Sequence, residues 1–247
     1  MRKLSFPGVI AFGFCTFGLS VAAQVPIHAP DGGTTETLQS IDIAPVANAP
    51  FSATVVTEWT RILPDGSTQT IKNHRTVARD SSGRVFQERR SFTPNGDQQV
   101  TQLTEMDYQY PNQQQLYICK PAVQVCTLYR YNPPPGIIPP RTGPLPSGTG
   151  SVTIEDLGRM TIENMEVLGS RQTTTINAGV AGNQRAEPTI KEFWYSPRLQ
   201  INLITKRFDP HVSGIQDFEV KNINLDEPDP KLFQTPADYR LIRMDEK

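Results

Sequence analysis

The sequence predicts a mainly β protein, an antiparallel sheet with at most small helices. Three observations carry this. From Phe51 onward, short runs rich in Val, Ile, Thr and aromatic residues recur. Turn residues with a defined backbone role separate them, as in Pro64-Asp65-Gly66-Ser67, where Pro presets φ and Gly accepts a positive one. No amphipathic segment continues beyond about three helical turns. The length of 247 residues leaves room for one large β domain or two small ones. With 24 Lys+Arg against 25 Asp+Glu, the chain has no polybasic character, and nucleic acid is not an expected partner.

The N-terminus is not part of that sheet. Met1-Arg2-Lys3 is a short positive start, and Leu4 to Leu19 carries no charge. Ser20-Val21-Ala22-Ala23-Gln24 then places the small residues Val21 and Ala23 at the third and first positions before a cut. The pattern suits a signal peptide over residues 1–23, cleaved between Ala23 and Gln24. Its apolar core is short for a membrane crossing, so no integral span is expected after cleavage; the other reading is an uncleaved anchor. Cys15 follows bulky Phe14, where lipidation needs a small residue. Losing Arg2 and Lys3 leaves 22 positive charges against 25 negative, which gives no charge-based attraction to anionic lipid. The expected location is the periplasm or the extracellular space. Residues 24–49 lack periodicity and hold Pro26, Pro30, Gly32, Gly33 and Pro45, so they read as a disordered or loosely bound leader.

A single domain is expected over residues 50–243. Phe51–Leu63, Thr68–Arg79 and Arg84–Phe92 form an antiparallel meander around the turns at Pro64 and at Asp80-Ser81-Ser82-Gly83. Such a sheet has one wet side. Arg75, Arg79, Arg84, Arg89 and Arg90 are expected there, in cross-strand ion pairs with Asp80 and Glu88, with an anion site as the other reading. Further strands are expected near residues 100–106, 114–119 and 124–131. The last two carry Cys119 and Cys126 around a tight turn at Lys120-Pro121, which sets the cysteines opposite each other. Facing strand residues are within reach of a disulfide, and an exported protein meets an oxidising compartment.

A Pro-rich loop, residues 132–150, follows with Pro133, Pro134, Pro135, Pro139, Pro140, Pro144 and Pro146. Proline cannot donate to a ladder, and the excursion is long for a routine connection. It reads as an insertion, or alternatively as a lid or partner-binding loop. Strands resume at residues 152–155, 159–162 and 167–176. A hairpin of residues 189–195 and 199–208 turns around Ser196-Pro197-Arg198, and residues 215–223 follow. Asp229 and Pro230 fit the N-cap and first position of one helical turn reaching Phe233. Residues 239–242 form a final strand.

Chemical signatures are absent from the sequence. His28, His74 and His211 lie at no ligand spacing, and there is no GxSxG, phosphate loop or HExxH pattern. No catalytic residue, metal or cofactor is therefore expected. Asp226, Glu227, Asp229 and Asp238 cluster, but stiffening prolines among them argue for capping and solvation over Ca²⁺.

Three stretches support a resemblance. They are Phe193-Trp194-Tyr195-Ser196-Pro197-Arg198-Leu199, Leu203 to Pro210 with its Lys206-Arg207-Phe208-Asp209-Pro210, and Glu227 to Tyr239 with Pro228-Asp229-Pro230-Lys231-Leu232-Phe233. They resemble the end of a largely uncharacterised bacterial secreted family sharing W-Y-S-P-x-L, K-x-x-D-P and P-D-P-x-L-F-x-x-P-x-D-Y patterns. More distantly the layout is similar to the periplasmic lipoprotein-carrier half-barrels (LolA/LolB/RseB-like). That resemblance implies a strongly bent, half-barrel-like antiparallel sheet with one or two short helices and an apolar concave face. The long helices that plug the carriers are not evident here. Leu232, Phe233 and Tyr239 read without any ligand as anchors closing one end of the sheet.

The functional expectation is an exported, non-enzymatic envelope protein holding a lipid, a lipoprotein segment or a hydrophobic peptide on its concave face. Trp59, Phe86, Trp194 and Tyr195 are the groove candidates, with plain core packing as their other role. The alternative is a structural or interaction protein whose envelope partner meets the Pro-rich loop or the sheet edges.

Overall fold

The computed structural model describes residue 41 and residues 43–96, 101–132, 141–210 and 212–244. The signal peptide, its Ala23–Gln24 cleavage point, leader residues 24–40, His28, His211 and residues 133–140 of the Pro-rich loop lie outside them. Among the described residues thirteen strands form one sheet: β1 (Phe51–Ile62), β2 (Thr68–Arg79), β3 (Val85–Arg90), β4 (Leu103–Tyr110), β5 (Gln115–Lys120), β6 (Val125–Arg130), β7 (Gly143–Pro144), β8 (Gly150–Ile162), β9 (Met165–Ile176), β10 (Glu187–Ser196), β11 (Ile201–Asp209), β12 (Val212–Asn224) and β13 (Arg240–Arg243). Their order across the sheet is β13-β6-β5-β4-β3-β2-β1-β12-β11-β10-β9-β8-β7. The sheet is curled without closing into a barrel, and its helical content is short 3-10 turns. This is the expected bent antiparallel architecture.

Alternation places the core. Along β1, Phe51, Ala53, Val55, Thr57 and Trp59 are buried while the residues between them are half-exposed, the period of a strand with one covered face. Without a register shift, β2 sets Arg79, Val77, Arg75, Asn73 and Ile71 opposite those five. We call this side the inner face. At the Phe51 end it meets Leu199, Ile201, Leu203, Met165 and Val167, with Phe218 and Val220, in one apolar cluster. Each such side chain removed from water contributes about 1.5–3 kcal/mol.

Residues 43–49, expected in the loose leader, belong to this cluster's walls. Ile41 and Ile43 are buried in it. Arg79 holds the following backbone: it is fully enclosed and donates from Nε to the Ala49 carbonyl (2.9 Å), from Nη1 to Ala44 (2.8 Å) and from Nη2 to Leu199 (2.7 Å). Burial lowers its pKa from 12.5 to about 10. The expectation of five wet-face arginines is thus corrected. Arg75 and Arg79 point inward, and Arg89 lies on the same face, because β2 and β3 continue the alternation of β1. Arg84 and Arg90 do pair with Asp80 (2.6 Å) and Glu88 (3.0 Å), but around the turn and along β3 instead of across strands.

The outer face explains how a long, wet sheet keeps its register. Lys72, Glu58, Asp217, Lys206, Glu192, Arg171 and Glu155 sit directly opposite one another on seven successive strands. Contacts close at Lys72–Glu58 (2.5 Å), Arg171–Glu192 (3.1 Å) and Arg171–Glu155 (2.9 Å). A slip of one residue would carry the whole row to the inner face.

A second cluster covers the other end of the sheet and lies on the opposite face. Ala78, Phe86, Tyr108, Cys119, Cys126 and Phe233 form it, flanked by Leu232 and Tyr239. Cys119 and Cys126 stand opposite each other and are bonded, with Cα atoms 4.0 Å apart. The turn Pro230–Phe233 is capped by Asp229, whose Oδ1 accepts from Lys231 N at 2.9 Å. Tyr110 OH donates to the Phe233 carbonyl at 2.5 Å.

Three strand expectations change. Residues 150–162 form one strand, because Gly158 (φ +82°) absorbs a bulge where the sequence suggested a break. Gly143-Pro144 does join the ladder, against Val152 and Ser151, an edge position that tolerates Pro. The last strand, β13, runs parallel to β6.

Candidate functional site

The four groove candidates do not converge. Trp59 is on the inner face and only 3% exposed, with the Arg61 guanidinium 3.6 Å from its ring centroid. Phe86 is opposite Ala78, which by register puts it on the other face; it packs on Tyr108 with ring centroids 5.3 Å apart. Trp194 packs against the first cluster with its ring over Gly169, where an added Cβ would come within 2.6 Å of it. Its Nε1 donates to Glu192 at 3.2 Å. Tyr195 is 38% exposed. The W-Y-S-P-x-L stretch is a structural turn: Ser196 is buried, its Oγ accepts from Leu199 N at 3.3 Å, and the Leu199 carbonyl receives Arg79.

Trp59 leads instead to a set of residues that the sequence did not single out. Beyond Val55, the inner face becomes polar, buried from β2 to β12 at Asn73, Thr57, Trp59 and Gln216 and half-exposed from β11 onward. One row crosses it: Ile71, Trp59, Gln216, Arg207, Lys191, Gln172 and Ile154, each directly opposite the next. The neighbouring row is Asn73, Thr57, Phe218, Thr205 and Phe193. Gln216 is 3% exposed and Asn73 5%. Gln216 Oε1, Asn73 Oδ1 and Arg207 Nε are enclosed without a hydrogen-bond partner. Enclosed polar atoms of this kind each cost about 1–3 kcal/mol.

Towards β3 and β4 the inner polar groups form a network, in which Asp107 Oδ1 is the enclosed atom left without a partner. Arg75 donates to Gln87 Oε1 (3.2 Å) and to the Ile41 carbonyl (3.3 Å). Gln87 Nε2 and Arg89 Nε both reach Asp107 Oδ2, at 3.2 and 3.1 Å. Burial first, and the Arg89 charge second, lower Arg75 to about 10. Towards β10 the balance is poorer. Lys191 stands opposite Arg207, and like charges directly opposite each other destabilise a sheet. Burial, then Arg207, lowers the Lys191 pKa, with Asp209 acting the other way.

The sequence carried a partial signal for these residues. Lys191 and Phe193, like Thr205 and Arg207, alternate along their strands, but only the pairing of β10 with β11 brings the two cations together. Of the acidic tail cluster, Glu227 accepts from Ser81 N and Oγ (3.1 and 3.2 Å) and Asp229 caps the turn. Among the described residues no group of His, Cys, Asp and Glu is arranged to hold a metal.

No family model and no curated protein matches the chain. Solved structures do. An uncharacterized conserved protein from Thermus thermophilus aligns over 79% of this chain and 91% of its own, at 11% identity and a TM-score of 0.40. The MucA/MucB complex of Pseudomonas aeruginosa aligns over 78% of this chain and 58% of its own, at 12% identity and a TM-score of 0.41. A LolA superfamily protein from Nitrosomonas europaea aligns over 78% and 93%, at 10% identity and a TM-score of 0.31. Among the described residues no helix is long and apolar enough to cross a membrane.

Proposed function

We propose that this is an exported, non-enzymatic binding protein of the cell envelope that holds a lipid on its inner face. The observation that carries the reading is the change along that face. Next to a filled apolar core, Trp59, Phe193, Ile71 and Ile154 flank enclosed polar atoms, and three of these (Gln216 Oε1, Asn73 Oδ1 and Arg207 Nε) lack partners. A stable core satisfies its polar groups; a binding surface leaves them for its ligand. Trp59 keeps the role of wall, while Phe86, Trp194 (on the Glu192 side of β10) and Tyr195 do not line this surface.

Native mass spectrometry of the protein purified from the exported fraction without detergent tests the reading. The expected result is extra mass of a few hundred daltons, on the order of one lipid, lost on organic extraction. A bare polypeptide mass overturns it. Extra mass that survives extraction and is digested by protease points to a hydrophobic peptide instead. The same spectrum reports export, as a polypeptide beginning at Gln24.

A second reading, interaction through a sheet edge, has one observation in its favour. β7 pairs with only Ser151 and Val152 of the thirteen-residue β8, so much of that edge carries no ladder partner among the described residues. An unpaired edge is a docking site for an extended segment. A partner whose capture is abolished by proline at Thr161 would favour it.

A further inference from the structure

We propose that Lys191 and Arg207 receive the anionic head group, a carboxylate or phosphate, of an amphiphile whose chain lies along Trp59 and Phe193. This rests on the inner-face reading above and narrows it to one ligand chemistry.

The first support is the charge count. Lys191 and Arg207 are directly opposite on β10 and β11. Asp209 serves Arg207, accepting from Nη2 at 2.8 Å, and both side chains are mostly covered, at 16% and 13% exposed. Lys191 makes no ion pair among the described residues. Two cations against one carboxylate leave one positive charge over, which suits a singly charged anion.

The second support is the orphaned hydrogen-bonding capacity at the same place. Arg207 Nε is enclosed and unpartnered. An ammonium has three donors and no acceptor, and those of Lys191 meet no acceptor among the described residues. Gln216, opposite Arg207, is buried with Oε1 unpartnered. An oxyanion between Lys191 and Arg207 would accept from both and cancel the like-charge repulsion across the two strands.

The third support is what flanks the cations. On one side of the row are Trp59 and Ile71, and beside it lies Phe193 opposite Thr205. A small inorganic anion gains nothing from these groups. An acyl chain does, at about 0.8 kcal/mol for each buried methylene.

The test is isothermal titration of the exported protein with dodecanoate, dodecanol, acetate and inorganic phosphate, all below micelle-forming concentrations. Dodecanoate is expected to bind at least about tenfold tighter than dodecanol, with acetate and phosphate too weak to measure. In Lys191→Met, dodecanoate should fall to the dodecanol level while dodecanol is unchanged; Lys191→Arg should restore the preference. Lys191→Met removes one of two facing cations, so it should melt no lower than the parent, and thermal unfolding checks that it is folded. Equal binding of dodecanoate and dodecanol overturns this inference and leaves the lipid reading standing. Phosphate or acetate binding as tightly as dodecanoate also overturns it, in favour of a simple anion site. Failure of all four probes overturns the lipid reading itself.

Discussion

Strand β1 runs through two regions built on opposite principles. At the Phe51 end, inward side chains pack into one apolar cluster, and the inward charges beside it find acceptors: Arg79 on three carbonyls, and Arg75, opposite Val55, on Gln87 and the Ile41 carbonyl. At the Trp59 end, eight residues further on the same face, neighbours are polar and some of their atoms have no partner. The β1–β2 ladder runs through both without a shift, and against β12 the irregularity falls at the Phe51 end, between Ser52 and Thr54. The closed end is therefore where folding free energy resides, and the Trp59 end is where a ligand can supply what the chain leaves out.

The largest expected effect breaks the closed end. Arg79→Ala strips donors from the Ala44, Ala49 and Leu199 carbonyls and leaves a cavity, at a cost of about 4 kcal/mol. Urea unfolding measures it. Arg79→Lys, with fewer and differently placed donors, should lie between. If Arg79→Ala costs under about 1 kcal/mol, the buried cation is not the clamp on residues 44–49 and the contrast fails.

A matched pair sharpens the contrast next. Phe218 is 1% exposed in the core cluster, and Phe193 is two strands away, half-exposed in the neighbouring row. Phe218→Ala should cost about 3–4 kcal/mol and Phe193→Ala about 1 kcal/mol or less. Ligand affinity should follow the reverse order. Equal losses of stability would mean that the second row is core as well.

Acid adds a smaller, signed effect. Burial alone would raise the Asp80 carboxyl, but the hydrogen bonds from Ser82 and Arg84 outweigh it and hold the pKa below 3.8. A carboxyl lowered in the fold contributes stability that is complete above 3.8 and lost as pH falls through the folded value. Asp80→Asn should cost about 1–2 kcal/mol at neutral pH and flatten the acid limb of the stability curve. Asp217 has the opposite sign. Burial first, with Glu58, Glu219 and Glu192 and against Lys206, raises its pKa above 3.8. Its contribution is complete below 3.8 and is lost as pH rises through the folded value, so Asp217→Asn should stabilise slightly at neutral pH. Chemical denaturation at pH 3, 5 and 7 separates the two.

Those parts of the fold that depend on local rules could be read from the sequence. The alternation of residues 51–59, the turn at Pro64, the cysteine pair and the Asp229-Pro230 cap each depend on residues close together in the chain. What could not be read depends on long-range register. Arg79 looks like a surface arginine until β2 is laid against β1 and residues 43–49 fold over it. Phe86 and Trp59 look equivalent until their strands show opposite parity. Lys191 and Arg207 are ordinary strand cations until β10 pairs with β11. The break expected between residues 155 and 159 is a bulge at Gly158, because a bulge uses the same residue as a turn.

The smallest expected effect is the most diagnostic for the Trp59 end. Gln216 is as buried as a core residue, yet its Oε1 has no partner. In a core, replacing such a group with leucine removes an unpaid desolvation and keeps the volume, so Gln216→Leu should change stability by less than about 0.5 kcal/mol, or raise it. Carried out in the ligand-free protein, that result marks Gln216 as serving something other than the fold. The same variant should weaken dodecanoate relative to dodecanol, because the polar atom beside Arg207 is gone while the apolar wall is intact. A loss of stability above about 2 kcal/mol would instead place Gln216 in a hydrogen-bond network of the fold, and the distinction between the two ends of β1 would shrink to one of composition.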